Sequence, residues 1–316
     1  MFKSILVPID LADTVVSPGF LDEVLPDLAA EPLGAPLWFE VRPEMSRAQV
    51  RAAAAAMGAV QIGVESLSDH VLGLMGKGTR ALECLRLLKW CREAGLPSGW
   101  NIIYDIPGEA DDDYAEMTRL LPSLWSLPAP AAFRPMYLDR FSAYLDHASR
   151  YGLEDVRPAE AYGLIYPLPE PDLREIAYTF RFRRDRSLLR SARIRRLFDE
   201  VAAWKDQAGT VGLRLSGGTA GTTAIVATEP DARDRTIVLD ELDAALYEAC
   251  SDIAGRDELL SLARSCLGER AGSLEDVEAL LDARLERFVA ERLMVAIGGR
   301  YLSLALAAEP EAAPAS

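Results

Sequence analysis

From Ile5 to Leu138, short β-rich runs alternate with amphipathic helical stretches, and that alternation restricts the chain to parallel βα units. Ile5 to Ile9, Leu37 to Val41, Val60 to Val64, Trp100 to Ile106 and Phe133 to Leu138 read as strands. Between them Phe20 to Ala30, Ser46 to Met57, Ser68 to Ala94 with a break at Gly76 to Gly78, and Asp111 to Leu121 read as helices. Ser46 and Ser68 are of the type that caps helix N-termini, and Gly95 followed by Pro97 stops the third helix. Consecutive units of this kind close into a barrel or lie in an open sheet, and either way a ligand site belongs at the C-terminal ends of the strands.

Those strand ends carry polar groups in every case: Asp10 and Asp13, Arg42, Glu65 with Ser66, Asp105 with Gly108 and Glu109, and Asp139 with Arg140. Loops are polar in any protein, so the weight lies in the coincidence across five strands rather than in one residue. No catalytic residue stands out among them.

A chain of 316 residues has room for about two domains. Its net charge of -15 disfavours a partner held through phosphate charge, nucleic acid included. No apolar run approaches the ~18 residues of a membrane span, and the N-terminus lacks the pattern of a secretory signal, so a cytoplasmic location is expected. Cys84, Cys91, Cys250 and Cys266 are scattered. The first two lie two turns apart on one helical face, which suits core thiols better than a metal site. His70 and His147 have no second ligand at metal spacing and read as surface residues, so no metal site is expected.

Arginines crowd the stretch from Arg174 to Arg196, either as a docking strip for an acidic peptide or RNA or, preferred here, as a solvated helical face and linker. Tyr178, Phe180 and Phe182 alternate with polar residues and anchor it. Beyond, Val211 to Leu215 and Thr223 to Ala227 read as a hairpin turning at Gly217-Gly218 and Gly221. Three amphipathic helices follow (Glu241 to Cys250, Asp257 to Cys266, Leu274 to Glu291), and a second hairpin turns at Gly298-Gly299. Helices closed by a small β wing suit DNA or a peptide. Arg284 and Arg287 stand among acidic neighbours, which favours peptide binding or packing. The expected domains are a barrel over 1–173, an arginine-rich helical linker over 174–208, a hairpin plus winged-helix-like domain over 209–307, and a disordered tail over 308–316.

Several blocks together resemble a known family. They are Gln61-Ile62-Gly63-Val64-Glu65-Ser66-Leu67-Ser68, Leu74-Met75-Gly76-Lys77-Gly78-Thr79, Leu87-Leu88-Lys89-Trp90-Cys91, Asn101-Ile102-Ile103-Tyr104 and Pro107-Gly108-Glu109. Leu138-Asp139-Arg140-Phe141-Ser142, Arg157-Pro158-Ala159 and Tyr166-Pro167-Leu168 continue the series. The set resembles radical S-adenosylmethionine barrels, and within them the cobalamin-type enzymes that mature ribosomally made peptides. The resemblance implies an α/β fold, a partial (βα) radical SAM-type barrel followed by a small winged-helix-like α+β domain. It implies that Glu65, Ser66 and Asn101 hold S-adenosylmethionine and that Asp13 forms the acidic end of a barrel strand. It also implies iron-sulfur and cobalamin chemistry, C-methylation, and a ribosomal precursor peptide as partner.

The family's CxxxCxxC cluster motif has no counterpart here, nor does its cobalamin-binding domain. The chain is therefore expected to correspond to the C-terminal part of such an enzyme, inactive alone and open to a cluster-bearing partner protein. Two other classes compete. One is a non-catalytic peptide- or partner-binding protein. The other is a nucleotide-binding protein similar to the universal stress proteins, through Met1 to Asp10, which predicts ATP affinity lost on Asp10→Ala.

Overall fold

A computed structural model describes residues 9–11, 15–56, 58–217, 223–231, 233–268 and 272–307. The expected strand residues 5–8, the turn residues Gly218 and Gly221 and the tail 308–316 lie outside them. Five parallel strands run in the order β1 (Ile9–Asp10), β2 (Leu37–Val41), β3 (Gly58–Glu65), β4 (Ser98–Tyr104) and β5 (Ala132–Pro135). They curl into a half-barrel. The crossovers supply α1 (Leu25–Ala30), α2 (Arg47–Ala55), α3 (Asp69–Leu74), α4 (Ala81–Glu93) and α5 (Asp111–Leu120). Period-two burial sorts each strand. Leu37, Phe39 and Val41, then Val60, Ile62 and Val64, then Trp100 and Ile102 face the helices and are buried.

Local sequence sets the helix ends. Ser46 Oγ accepts the Gln49 amide while Gln49 Oε1 accepts the Ser46 amide, a reciprocal cap worth about 1 kcal/mol. Gly95, at φ +66°, lets the Leu96 amide turn back onto the Cys91 carbonyl at 2.9 Å and ends α4. Gly76 and Gly78, at φ +64° and +72°, make the break between α3 and α4.

After β5 the chain adds β6 (Leu138–Asp139), α6 (Ala143–Asp146), β7 (Glu154–Pro158), α7 (Glu160–Ile165), α8 (Glu170–Ile176) and β8 (Thr179–Arg183). These strands form a separate antiparallel sheet in the order β6-β8-β7. Within the arginine-rich segment Thr179–Arg183 is thus a strand, where a helix was expected. The alternation of Tyr178, Phe180 and Phe182 has the strand period, and Phe180 is buried against Leu138 and Leu153. Helix α9 (Ala192–Gln207) then packs back on the barrel. Trp204 meets Trp100 at 5.7 Å between centroids, and the two indoles donate to the carbonyls of Leu127 and Pro128.

The remainder is a meander, β9 (Gly212–Gly217), β10 (Thr223–Thr228) and β11 (Asp234–Leu239), followed by α10 (Glu241–Ala249), β12 (Ala254–Gly255), α11 (Arg256–Leu267), α12 (Leu274–Ala290), β13 (Met294–Ile297) and β14 (Arg300–Ser303). Helix, short strand, two helices and a hairpin is winged-helix order, with the wing strands arranged β12-β14-β13. Gly298 and Gly299 both have positive φ, as a two-residue hairpin turn of this hand requires. The arginines of α12 point inward, Arg284 and Arg287 bonding the buried Asp243 at 2.9 and 2.6 Å. Among the described residues no helix is long and apolar enough to cross a membrane.

Candidate functional site on the concave face

The strand residues that do not face helices line the hollow side of the half-barrel. There β2 contributes Trp38 and Glu40, β3 Gln61, Gly63 and Glu65, and β4 Asn101 and Ile103, all half-buried. Glu40 and Gln61 are register partners, and Gln61 Nε2 donates to Glu40 Oε1 at 3.3 Å. Where β3 ends, the Ser66 amide bonds back to the Val64 carbonyl at 2.7 Å, closing a tight turn around Glu65 at φ +54°. A non-glycine residue in that region stores about 1–3 kcal/mol of strain. The turn holds the Glu65 carboxylate against Lys77 Nζ, 2.5 Å away.

Lys77 rides between the two positive-φ glycines of the α3-α4 break, which aim its side chain back over β3. A methyl group at Gly63 would lie 3.3 Å from Lys77 Nζ and 3.5 Å from Glu65 Oε1, so the missing side chain leaves the ion pair its room. Burial, then the nearby Glu65 and Asp10 carboxylates, push the Glu40 carboxyl above its usual range, and Lys77 partly offsets them. The face therefore offers one ammonium, crowded carboxylates and two amides.

Of the residues singled out by sequence, Glu65 and Asn101 lie on this face. Asn101 Oδ1 accepts the Ala132 amide at 3.1 Å and stitches β4 to β5. Ser66 does not lie on it. Its hydroxyl is fully buried, accepts the Ser68 amide and sits 3.5 Å from Met117 of α5. Asp13 lies outside the described residues. Arg42 is exposed beyond β2. Glu40, Gln61 and Lys77 were not assigned to the site by sequence; the alternation of β2 against β3, with Glu40 and Gln61 on the non-aliphatic positions, is the signal that finds the first two.

A second polar cluster closes the end of β4. Asp105, at φ +68° and 1% exposed, pairs through one oxygen with Arg184 and through the other with Arg186 at 3.1 Å. Glu109 accepts the Tyr114 hydroxyl at 2.5 Å, and burial, partly offset by that hydrogen bond, pushes its carboxyl up to about 7. The folded protein thus keeps this proton where the unfolded chain, near 4.5, has lost it. Glu109 should therefore lower stability as pH rises from about 4.5 to 7, leaving the cost in place above that window. Glu109→Gln is expected to remove this fall, read as the wild-type-minus-variant difference in urea unfolding across the window. A parallel decline in both proteins would refute the assignment.

His70 is exposed as expected, yet its Nδ1 lies 3.0 Å from the buried Asp113, which also accepts Ser68 Oγ at 2.7 Å. The trio resembles a nucleophilic arrangement only on paper. Ser68 is fully buried and caps α3 through the Val71 amide, and Asp113 caps α5 through the Ala110 amide. The four thiols do not fit an iron-sulfur cluster. Cys84, Cys91 and Cys250 are buried in the core, which pushes each up to about 12, and Cys266 stands on another helix. Among the described residues no group of His, Cys, Asp and Glu is arranged to hold a metal ion.

No curated protein matches the chain. Solved structures give distant likenesses. The radical S-adenosylmethionine methyltransferase TsrM from Kitasatospora setae, with tryptophan substrate and a SAM analog bound, is 20% identical over 38% of this chain and 24% of its own, with a TM-score of 0.31. The cobalamin-dependent S-adenosylmethionine radical enzyme OxsB, with aqua-cobalamin bound, is 13% identical over 90% of this chain and 38% of its own, at 0.34. Elp3 from the archaeon Methanocaldococcus infernus is 12% identical over 93% and 89%, at 0.33. The match to TsrM thus spans about a quarter of that protein's length. Residues 22–121, the stretch that carries β2 to α5 and with them Glu40, Gln61, Glu65 and Lys77, match the Radical SAM superfamily.

Proposed function

We propose that this chain binds S-adenosylmethionine on the concave face of its half-barrel and serves a system that modifies a ribosomally made peptide, without cleaving the nucleoside by itself. The carrying observation is the Glu65-Lys77 pair, set beside Glu40 and Gln61 within the superfamily segment. An amino-acid head group needs an acceptor for its ammonium and a cation for its carboxylate. Glu65 with Glu40 and Lys77 have that chemistry, and the Gln61 and Asn101 amides suit ribose hydroxyls. When bound, S-adenosylmethionine supplies a methyl or adenosyl group at its sulfonium.

This chain's residues bind and orient, and Lys77 exchanges its intramolecular partner for the ligand's carboxylate. An iron-sulfur cluster for radical chemistry would be held by cysteines other than these four, whether on a cluster-bearing partner or elsewhere, because the thiols here are dispersed and protonated. C-methylation of the peptide is the reaction class that the family resemblance supports for such an assembly.

Calorimetric titration with S-adenosylmethionine tests the reading. Binding is expected, weakened at least about tenfold by Glu65→Gln and by Lys77→Met, the loss of about one charge-assisted contact. Unchanged affinity in both variants would sink the site. Release of 5′-deoxyadenosine by this chain alone after anaerobic iron-sulfur reconstitution would sink the non-cleaving part.

A further inference from the structure

The end of β3 departs from regular pairing just where the site begins. Ile62 pairs with Trp100 and Glu65 with Ile102, so three steps along β3 stand against two along β4, a bulge of one residue. Glu65 closes the bulge at φ +54°, in the left-handed region. Backbone of this kind is strained and persists only where its surroundings hold it there. The bulge re-aims one side chain. In unbroken register Val64 would stand opposite Ile102 and Glu65 opposite Ile103; the extra residue brings Glu65 level with Ile102 while its carboxylate stays on the hollow side against Lys77.

What holds the turn is a chain of buried polar groups. The Ser66 amide bonds the Val64 carbonyl at 2.7 Å. Its hydroxyl, fully buried, accepts the Ser68 amide at 3.1 Å and donates to Met117 Sδ, 3.5 Å away. Ser68 in turn donates from Oγ to Asp113 at 2.7 Å and caps α3 through the Val71 amide, while Asp113 caps α5 through the Ala110 amide. The turn at Glu65 is thus tied, through Ser66, to the starts of two helices. A hydroxyl at such a depth costs free energy unless it is bonded. Ser66 reaches neither solvent nor the hollow face, so the turn itself is what its hydroxyl serves.

We propose that Ser66 is a positioning residue for the concave site. It makes no contact with a bound ligand; its hydroxyl holds the strained backbone at Glu65, and that backbone holds the carboxylate on Lys77. Without the hydroxyl the buried Ser68 amide loses its acceptor, Glu65 relaxes towards extended backbone, and its side chain turns off the ammonium. The geometric role stands on the turn and the ion pair alone; its value for S-adenosylmethionine rests on the proposed function.

Two double-mutant cycles on the full chain test it. In the first, S-adenosylmethionine is titrated calorimetrically into wild type, Ser66→Ala, Glu65→Gln and the double variant. Ser66→Ala should weaken binding about tenfold in wild type, and less than about twofold once Glu65→Gln has removed the charge that it positions. Equal losses in the two backgrounds, the mark of a general structural effect, overturn the proposal, as does no loss in wild type. The second cycle needs no ligand. Glu65→Gln and Lys77→Met should be non-additive in urea unfolding by at least about threefold in the equilibrium constant when Ser66 is present, and additive when Ser66→Ala is. A coupling that survives Ser66→Ala, or one absent from wild type, overturns it. Should Ser66→Ala not fold, Ser66→Cys keeps the volume, offers only a weak sulfur acceptor, and is expected to show the same pattern in both cycles. If wild type failed to bind S-adenosylmethionine while the coupling still vanished with Ser66→Ala, the proposed function would fail and the positioning role would stand. Binding with a coupling that Ser66→Ala leaves intact would mean the reverse.

Discussion

Asp105→Ala is expected to destabilise the protein by about 3–5 kcal/mol, because it removes the carboxylate from two guanidiniums at a buried position. Arg184, only 12% exposed at its side chain, would be left as a charge without a partner. The cost has a second part. Asp105 sits at φ +68°, which aspartate tolerates better than alanine, so about 1 kcal/mol of the loss is conformational. Asp105→Asn separates the two, keeping the left-handed tolerance while deleting the charge. Urea unfolding of wild type and both variants measures the difference. A loss below about 1 kcal/mol in Asp105→Ala would mean that Arg184 finds water or another acceptor. The consequence reaches the small antiparallel sheet, since these arginines follow β8 and tie it to the end of β4.

The parts of the fold that announce themselves are those where one periodicity dominates. Leu37–Val41 is a strand to the residue, and α2 starts where Ser46 caps it, because local alternation and capping chemistry agree with the tertiary structure there. The break at Gly76 to Gly78 was legible for the same reason. β8 was not, since the density of arginine in Arg181, Arg183 and Arg184 looks like a solvated helix until their partners are known, and the partners come from residues far away in sequence. β11 was missed because Asp234 to Thr236 are exposed and polar, and only pairing with β10 across its whole length makes them a strand.

The concave face shows the same divide. Glu65 was legible from its place at a strand end. Lys77 was not, because what brings its ammonium to Glu65 is the pair of left-handed glycines on either side of it. Ser66 is the opposite case, placed by the structure away from this face. It stands next to Glu65 in sequence, but neighbours in a strand point to opposite sides, and the turn at Glu65 sends the serine under α5. Adjacent polar residues at a strand end therefore count as one candidate rather than two.

The joint between half-barrel and winged helix carries the second large effect. Lys89 of α4, 1% exposed, donates from Nζ to the Ser303 carbonyl of β14 at 2.9 Å and lies 3.3 Å from Ser303 Oγ. Burial lowers its ammonium to about 8 from 10.5; Glu93 and Glu248 resist the change, and Arg47 adds to it. Between those two values the unfolded chain holds a proton that the folded protein has lost, so stability rises as pH climbs from about 8 to 10.5. Below pH 8 the whole penalty is present, about 3 kcal/mol at 1.36 kcal/mol per pKa step. Lys89→Met keeps the apolar stem and removes the charge. At pH 7 it should raise stability by about 1–3 kcal/mol, the remainder being offset by the hydrogen bond that Ser303 loses. The wild-type-minus-variant difference should then shrink towards pH 10, as the folded protein gives up its lysine proton while the unfolded chain still holds one. Urea unfolding at pH 7, 8.5 and 10 follows it. A variant less stable than wild type at pH 7 would mean that the bond to Ser303 outweighs the cost of burying the ammonium, and that the joint is held by its lysine rather than in spite of it.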